Sequence, residues 1–161
     1  MTQAAAMTTG AATADAAIHL RDVSVHFGDI TGLKEASFDI APGEFVSVVG
    51  PSGCGKTTLL NLLTGLLPVQ TGTVKVLGKP AREGNSDVAY MLARDCLLPW
   101  RSTLGNAMYG MEARGLLPGK EREKKAHHLL ERVGLHGFAD QYPKALSHGM
   151  RQRNALARTF C

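Results

Sequence analysis

The chain is poor in the residue types that mark several functional classes. Aromatic residues make up 6% of its 161 residues, with a single tryptophan, too few for the stacking platforms of a single-strand nucleic-acid binder. No apolar run approaches the roughly 18 residues of a membrane span. The densest stretch, Leu59 to Leu67, is interrupted by Asn61 and Thr64. The first ten residues, MTQAAAMTTG, have no basic residue and no apolar centre of the kind a secretion leader needs. The three cysteines, Cys54, Cys96 and Cys161, form neither a C-x-x-C pair nor an even framework, which argues against a disulfide scaffold and for a reducing compartment. What remains is 44% hydrophobic and 20% charged, a balance that sets the chain apart from disordered sequences and supports a packed core.

The net charge of +4 is unevenly spread. Residues 1–93 carry 6 basic and 8 acidic side chains, whereas residues 94–161 carry 12 and 6. A basic half can face an anionic partner or simply be a solvated helical surface. Residues 1–17, mostly Ala and Thr, read as a loose tail. IHLRDVSV from Ile18 alternates apolar and polar as a strand does. SFDI at 37–40, EFVSVVG at 44–50, TVKVLG at 73–78 and DVAYML at 87–92 read as further strands, and GKTTLLNLLTGLL as a helix. After about residue 93 the β-branched runs vanish, and 103–115, 120–133 and 148–160 read as helices.

Gly50-Pro51-Ser52-Gly53-Cys54-Gly55-Lys56-Thr57, followed by Thr58, matches G-x-x-x-x-G-K-[ST] between an expected strand and an expected helix. A polyphosphate is held by backbone N–H groups that must converge, which glycines permit. The helix adds its positive N-terminal end. Lys56 can reach the terminal phosphates as a point charge, and the Thr57 hydroxyl can ligate Mg²⁺. This loop fits GTPases, kinases, helicases and transport ATPases alike.

A second motif chooses among them. Leu146-Ser147-His148-Gly149-Met150, running into Arg151-Gln152-Arg153 and Ala155-Leu156-Ala157-Arg158, resembles the LSGGQ signature of ABC-transporter ATPases. The resemblance covers residues 18–161. It implies an α/β fold with a P-loop NTPase core and mixed sheet at 18–93, an α-helical subdomain at 94–146, and a signature helix at 147–161 returning to the core. It implies ATP and Mg²⁺ as cofactors, a head-to-tail dimer with a second ATP-binding subunit, and Ser147, His148, Gly149 and Met150 meeting the partner's nucleotide. Ser147 is equally suited to be a plain helix N-cap. Phe27 matches the aromatic that stacks on adenine, though a core Phe at a strand end fits as well. Leu97-Leu98-Pro99-Trp100-Arg101 is similar to the nitrate/sulfonate/taurine importer branch. There Leu98 and Trp100 form an apolar knob that docks a membrane subunit, or Trp100 packs inside the helical subdomain. The implied role is the ATP-hydrolysing subunit of an importer for a small anionic solute. It would lie in the cytoplasm, peripheral on the inner face of the plasma membrane, with permease subunits as partners, a solute-binding protein as an indirect partner, and no nucleic acid.

Three departures from the family stand out. A Gln that ligates Mg²⁺ is expected at Ala93, with Asp95 two residues on as a substitute. His148 replaces a signature Gly, where it either crowds the phosphate or points away. No apolar run ending in Asp-Glu occurs in the sequence, so no catalytic Glu is identified. The family's sheet would then be short of a central strand, exposing apolar surface and unpaired edges, and the sequence reads as a fragment or truncated product. A non-catalytic nucleotide-binding remnant and a soluble ABC-type ATPase are the alternatives. Cys54, at a helix N-terminus and two residues from Lys56, is either a reactive thiol or a small loop filler. His127 and His128 read as a solvated face rather than as metal ligands.

Overall fold

The computed structural model describes residues 16–161 except 83 and 86. The tail expected at 1–17 therefore lies outside the described residues, but for its last two. The chain divides into two compact units, Met1–Val88 and Ala89–Cys161.

The first unit is built on a four-stranded sheet in the order β2-β1-β3-β4. Its strands are β1 (Ile18–Phe27), β2 (Ile30–Ile40), β3 (Thr73–Val76) and β4 (Lys79–Pro80). The alternation in IHLRDVSV falters at Asp22, and the backbone accommodates it. Asp22 takes φ 51°, and the register slips between Leu20↔Phe38 and Val23↔Ala36. This bulge brings Leu20, Val23 and Val25 all to the buried face. Gly72 packs onto the bulge so tightly that a Cβ there would strike the Arg21 and Asp22 carbonyl oxygens. Helix α1 (Lys56–Leu63) lays Leu59, Leu62 and Leu63 into the same core, the i, i+3, i+4 spacing of one helical face.

Among the described residues the three strand pairings are all antiparallel. The parallel component of the expected mixed sheet would need 44–50 and 87–92, and neither forms a strand. A β-rich run becomes a strand only where a neighbour takes its N–H and C=O groups, and among the described residues none pairs with either segment. Phe45 is consequently 95% exposed and Val49 82%.

Outside the core, Asp39 bridges two strands on the open face of the sheet. It accepts from Arg21 at 2.5 Å and pairs with His19 Nδ1 at 2.6 Å. The Arg21 guanidinium, aided by His19 and opposed by partial burial, holds the Asp39 carboxyl below its ordinary range. A depressed carboxylate stabilises the fold above its unfolded value, about pH 4, and that contribution is lost as pH falls through the folded one. Melting temperature should therefore fall with acidification below about pH 4, and Asp39→Asn should flatten that slope in thermal scans across the range.

The second unit gathers helices α2 (Thr103–Ala113), α3 (Gly119–Arg132) and α4 (His148–Phe160) around Met111, Leu130 and Leu135. Ala107, Ala126 and Ala157 keep the helices close. Within this unit α4 packs against α2 and α3, with Ala157 and Cys161 supplying its apolar stripe to their core. One conflict lies within this unit. Asn154 is fully buried and, among the described residues, neither amide atom has a hydrogen-bond partner. An unpaired buried amide costs about 1–3 kcal/mol. Asn154→Ala should therefore raise the urea midpoint rather than lower it as most buried truncations do, an outcome an equilibrium titration reads directly.

Candidate functional site

The loop 50–55 turns through left-handed backbone at Gly53 (φ 83°) and Gly55 (φ 96°). Gly55 is doubly required: a Cβ on it would sit 2.9 Å from Leu33 Cδ2 and closer still to the Gly32 carbonyl oxygen of β2. That contact seats the loop against the sheet and aims the first turn of α1 outward. Gly55 is the N-cap of α1 and provides no side-chain cap, so the first-turn N–H groups are left for a ligand. They open on a cavity of about 280 Å³ lined by Ser52, Gly53, Gly55, Lys56, Thr57 and Thr58.

The Lys56 ammonium donates to the Gly50 and Pro51 carbonyls at 2.8 and 2.6 Å and lies 3.5 Å from Cys54 Sγ. It ties the two ends of the loop together and places its charge over the cavity. Thr57 is exposed at the same place. A cradle of convergent N–H groups with one cation fits a polyphosphate. An exposed hydroxyl such as that of Thr57 suits Mg²⁺, which keeps most of its waters and shares the rest with phosphate.

Phe27 is half-exposed at the end of β1, so the alternative of a core Phe is not what the fold adopts. Its ring lies against Gly32: a Cβ built there would be 2.8 Å from the ring and 3.5 Å from the Thr58 methyl. Phe27 thus stands beside the first turn of α1.

In the second unit Ser147 is the N-cap of α4, its hydroxyl accepting from the Met150 N–H at 3.3 Å. The capping role is thus present, and the hydroxyl proton stays free to donate. Ser147, His148 and Gly149 are exposed, and Met150 half-buried against the helical core. A Cβ on Gly149 would meet nothing within 4 Å, so an anion can approach the helix end.

Asp95 does not offer the free carboxylate that replacing the missing Gln would require. One oxygen accepts from Arg151 Nε at 3.0 Å and the other from the Leu97 N–H at 3.4 Å. Trp100 is 70% exposed rather than packed within the helical unit, with Leu98 half-buried beside it. His127 and His128 are exposed on α3, and His127 lies 4.0 Å from Glu123.

Sequence reasoning missed Asn106. Fully buried in α2, it accepts from the Leu98 N–H at 2.7 Å and donates to the Leu98, Arg101 and Ser102 carbonyls at 3.0 Å. Its only trace in the sequence is an amide on the apolar face of an expected helix. Arg101 is likewise held, by Glu112 and over the Tyr109 ring at 5.2 Å.

Comparison with known proteins agrees with this geometry. The ABC transporter family model matches residues 33–161. The ABC transporter ATP-binding protein YtlC of Bacillus subtilis is 42% identical over 130 residues, 81% of this chain and 50% of that protein. The taurine import ATP-binding protein TauB of Rhizobium johnstonii is 40% identical over 131 residues, again 81% of this chain and 50% of that one. Among solved structures, a dimeric ATP-binding cassette in a post-hydrolysis state, bound to ADP and Pi, superposes with a TM-score of 0.77 at 31% identity, covering 88% of this chain and 68% of that one. The chain spans about half the length of the curated relatives it matches. No described helix is long and apolar enough to cross a membrane. With most of its length matched by the family model and its relatives named as ABC transporter and taurine import ATP-binding proteins, the chain belongs to the ABC transporter ATP-binding family.

Proposed function

We propose that the chain is the nucleotide-binding part of an ATP-hydrolysing subunit that energises an importer for a small anionic solute such as taurine, a sulfonate or nitrate. The observation that carries the reading is the first turn of α1, without a side-chain cap and opening on a cavity that Lys56 helps to line. Family members hydrolyse ATP. In this reading the unit ending near Val88 holds ATP at Gly50 to Thr58, with Phe27 against the adenine. Thr57 would ligate Mg²⁺, which supplies charge neutralisation between the phosphates. The helical unit offers Ser147 and the α4 N-terminus to the nucleotide on a second copy, head to tail. Leu98 and Trp100 dock a permease subunit at the inner face of the plasma membrane, and a solute-binding protein acts at one remove. The anionic solute rests on likeness to the taurine import protein and on the LLPW segment.

The test is ATP binding followed by calorimetry. Lys56→Ala removes a charge-assisted contact worth about 1.5–3 kcal/mol, so affinity should fall about 10- to 100-fold. Equal affinity of the two chains would remove the nucleotide assignment. Hydrolysis assayed on this chain and on one extended through the following strand separates an ATPase from a non-catalytic binder. Co-purification with a membrane permease separates an importer subunit from a soluble ATPase.

A further inference from the structure

The contacts around α4 form a continuous chain from the signature turn to Trp100. Arg151 uses both edges of its guanidinium. One nitrogen donates to the Leu146 carbonyl at 2.8 Å, immediately before the Ser147 cap, and Nε donates to the Asp95 carboxylate at 3.0 Å. Two turns further along the same helix face, Arg158 donates to the Asp95 and Cys96 carbonyls, each at 2.8 Å. Cys96 is itself held in left-handed backbone, φ 45°, a conformation that persists for a non-glycine residue only where its surroundings fix it. From Leu98 onward Asn106 takes over, pinning Leu98 and the carbonyls of Arg101 and Ser102. Trp100 stands exposed between these two pinned points.

We propose that Arg151 is a positioning residue that fastens the signature turn to the segment presenting Trp100, so that phosphate at Ser147 and a partner on Trp100 act on one rigid element. The inference rests on the proposed function for what binds at each end. The fastening itself rests on geometry alone. Arg151 and Asp95 side chains are 31% and 23% exposed, so their charge-assisted bond is only partly screened. Lysine in place of Arg151 keeps the charge but has no planar fork to bridge the carboxylate and the Leu146 carbonyl together.

Trp100 is the only tryptophan, so its time-resolved fluorescence anisotropy reads this segment without labels. In Arg151→Gln, Arg151→Lys and Asp95→Ala, the amplitude of nanosecond Trp100 motion should rise about two-fold. The Arg151→Gln/Asp95→Ala double variant should rise no further, as expected for two ends of one contact. The control is Arg153→Gln. Arg153 also leaves α4, but donates to the Val133 and Gly134 carbonyls, so its loss perturbs the helix without touching the fastening. Equal mobilisation of Trp100 by Arg153→Gln, or none by Arg151→Gln, overturns the proposal. A second arm adds ATP and measures binding separately. ATP-dependent change in Trp100 emission that Arg151→Lys removes at unchanged ATP affinity supports it. The same change persisting in Arg151→Lys, or ATP binding with no change in the parent chain, overturns it. Failure of the parent chain to bind ATP strikes the proposed function instead, and the anisotropy arm still decides the fastening.

Discussion

Gly55→Ala is expected to abolish ATP binding and to destabilise the first unit by on the order of 3 kcal/mol. Two independent effects converge on this position. Its φ of 96° lies where L side chains rarely go, and an added Cβ has no room beside Leu33 and the Gly32 carbonyl. The obstacle is backbone of a paired strand, which cannot rotate aside as a flexible side chain would. Relief must come from the loop, and moving the loop disperses the N–H groups that converge on the cavity. Gly72→Ala separates the two consequences. It meets the Arg21 and Asp22 carbonyls with comparable severity but lies away from the lining of the cavity. Denaturant titration should place both variants well below the parent. Calorimetry under native conditions should find ATP binding retained in the folded fraction of Gly72→Ala and missing in Gly55→Ala. Retained affinity in folded Gly55→Ala would sink the account of the loop.

The second large effect is chemical. Alkylation of Cys54 should block ATP binding, and bound ATP should protect the thiol. Cys54 Sγ packs where a Cβ on Gly50 would come within 2.7 Å, and the Lys56 ammonium lies 3.5 Å from it. An adduct on this sulfur must displace Lys56 from the Gly50 and Pro51 carbonyls or fill the cavity itself. The other cysteines differ in environment. Cys161 is buried in the helical core, and that burial, partly opposed by Lys125, pushes its thiol up and makes it a poor nucleophile. Cys96 is exposed, so the experiment belongs in a Cys96→Ser background. Mass spectrometry locating the adduct at Cys54, together with unchanged ATP affinity, would falsify the prediction.

Local chemistry was legible in the residues alone. The phosphate loop announced itself because each of its types answers a backbone or charge requirement that no neighbour can supply. Helices at 103–115, 120–133 and 148–160 were found within two residues of their observed ends, since caps such as Ser102 and Ser147 and the apolar spacing are local properties. The strands were less secure. IHLRDVSV was read correctly as a strand, yet its faltering alternation made sense only with the bulge at Asp22 and the packing of Gly72 upon it. EFVSVVG and DVAYML have the composition of strands and do not form them here, because strand formation is a property of a pair. Asp95 carried the chemistry of a metal ligand, but its carboxylate is taken by Arg151, fifty-six residues away in sequence.

The sequence by itself thus determined the family, the glycine-rich loop and its lysine, the helices and the place of the motif at the start of α4. All of these depend on residues close together along the chain. Only the tertiary structure decided that Trp100 faces solvent, that α4 packs with the helical unit, and that Asn106, Arg151 and Arg158 hold the segment between Asp95 and Ser102. Those outcomes depend on which buried polar groups and charges find one another across long separations. Periodicity and composition do not encode that choice, because a buried amide or an arginine fork is satisfied equally well by any partner that folding brings within reach.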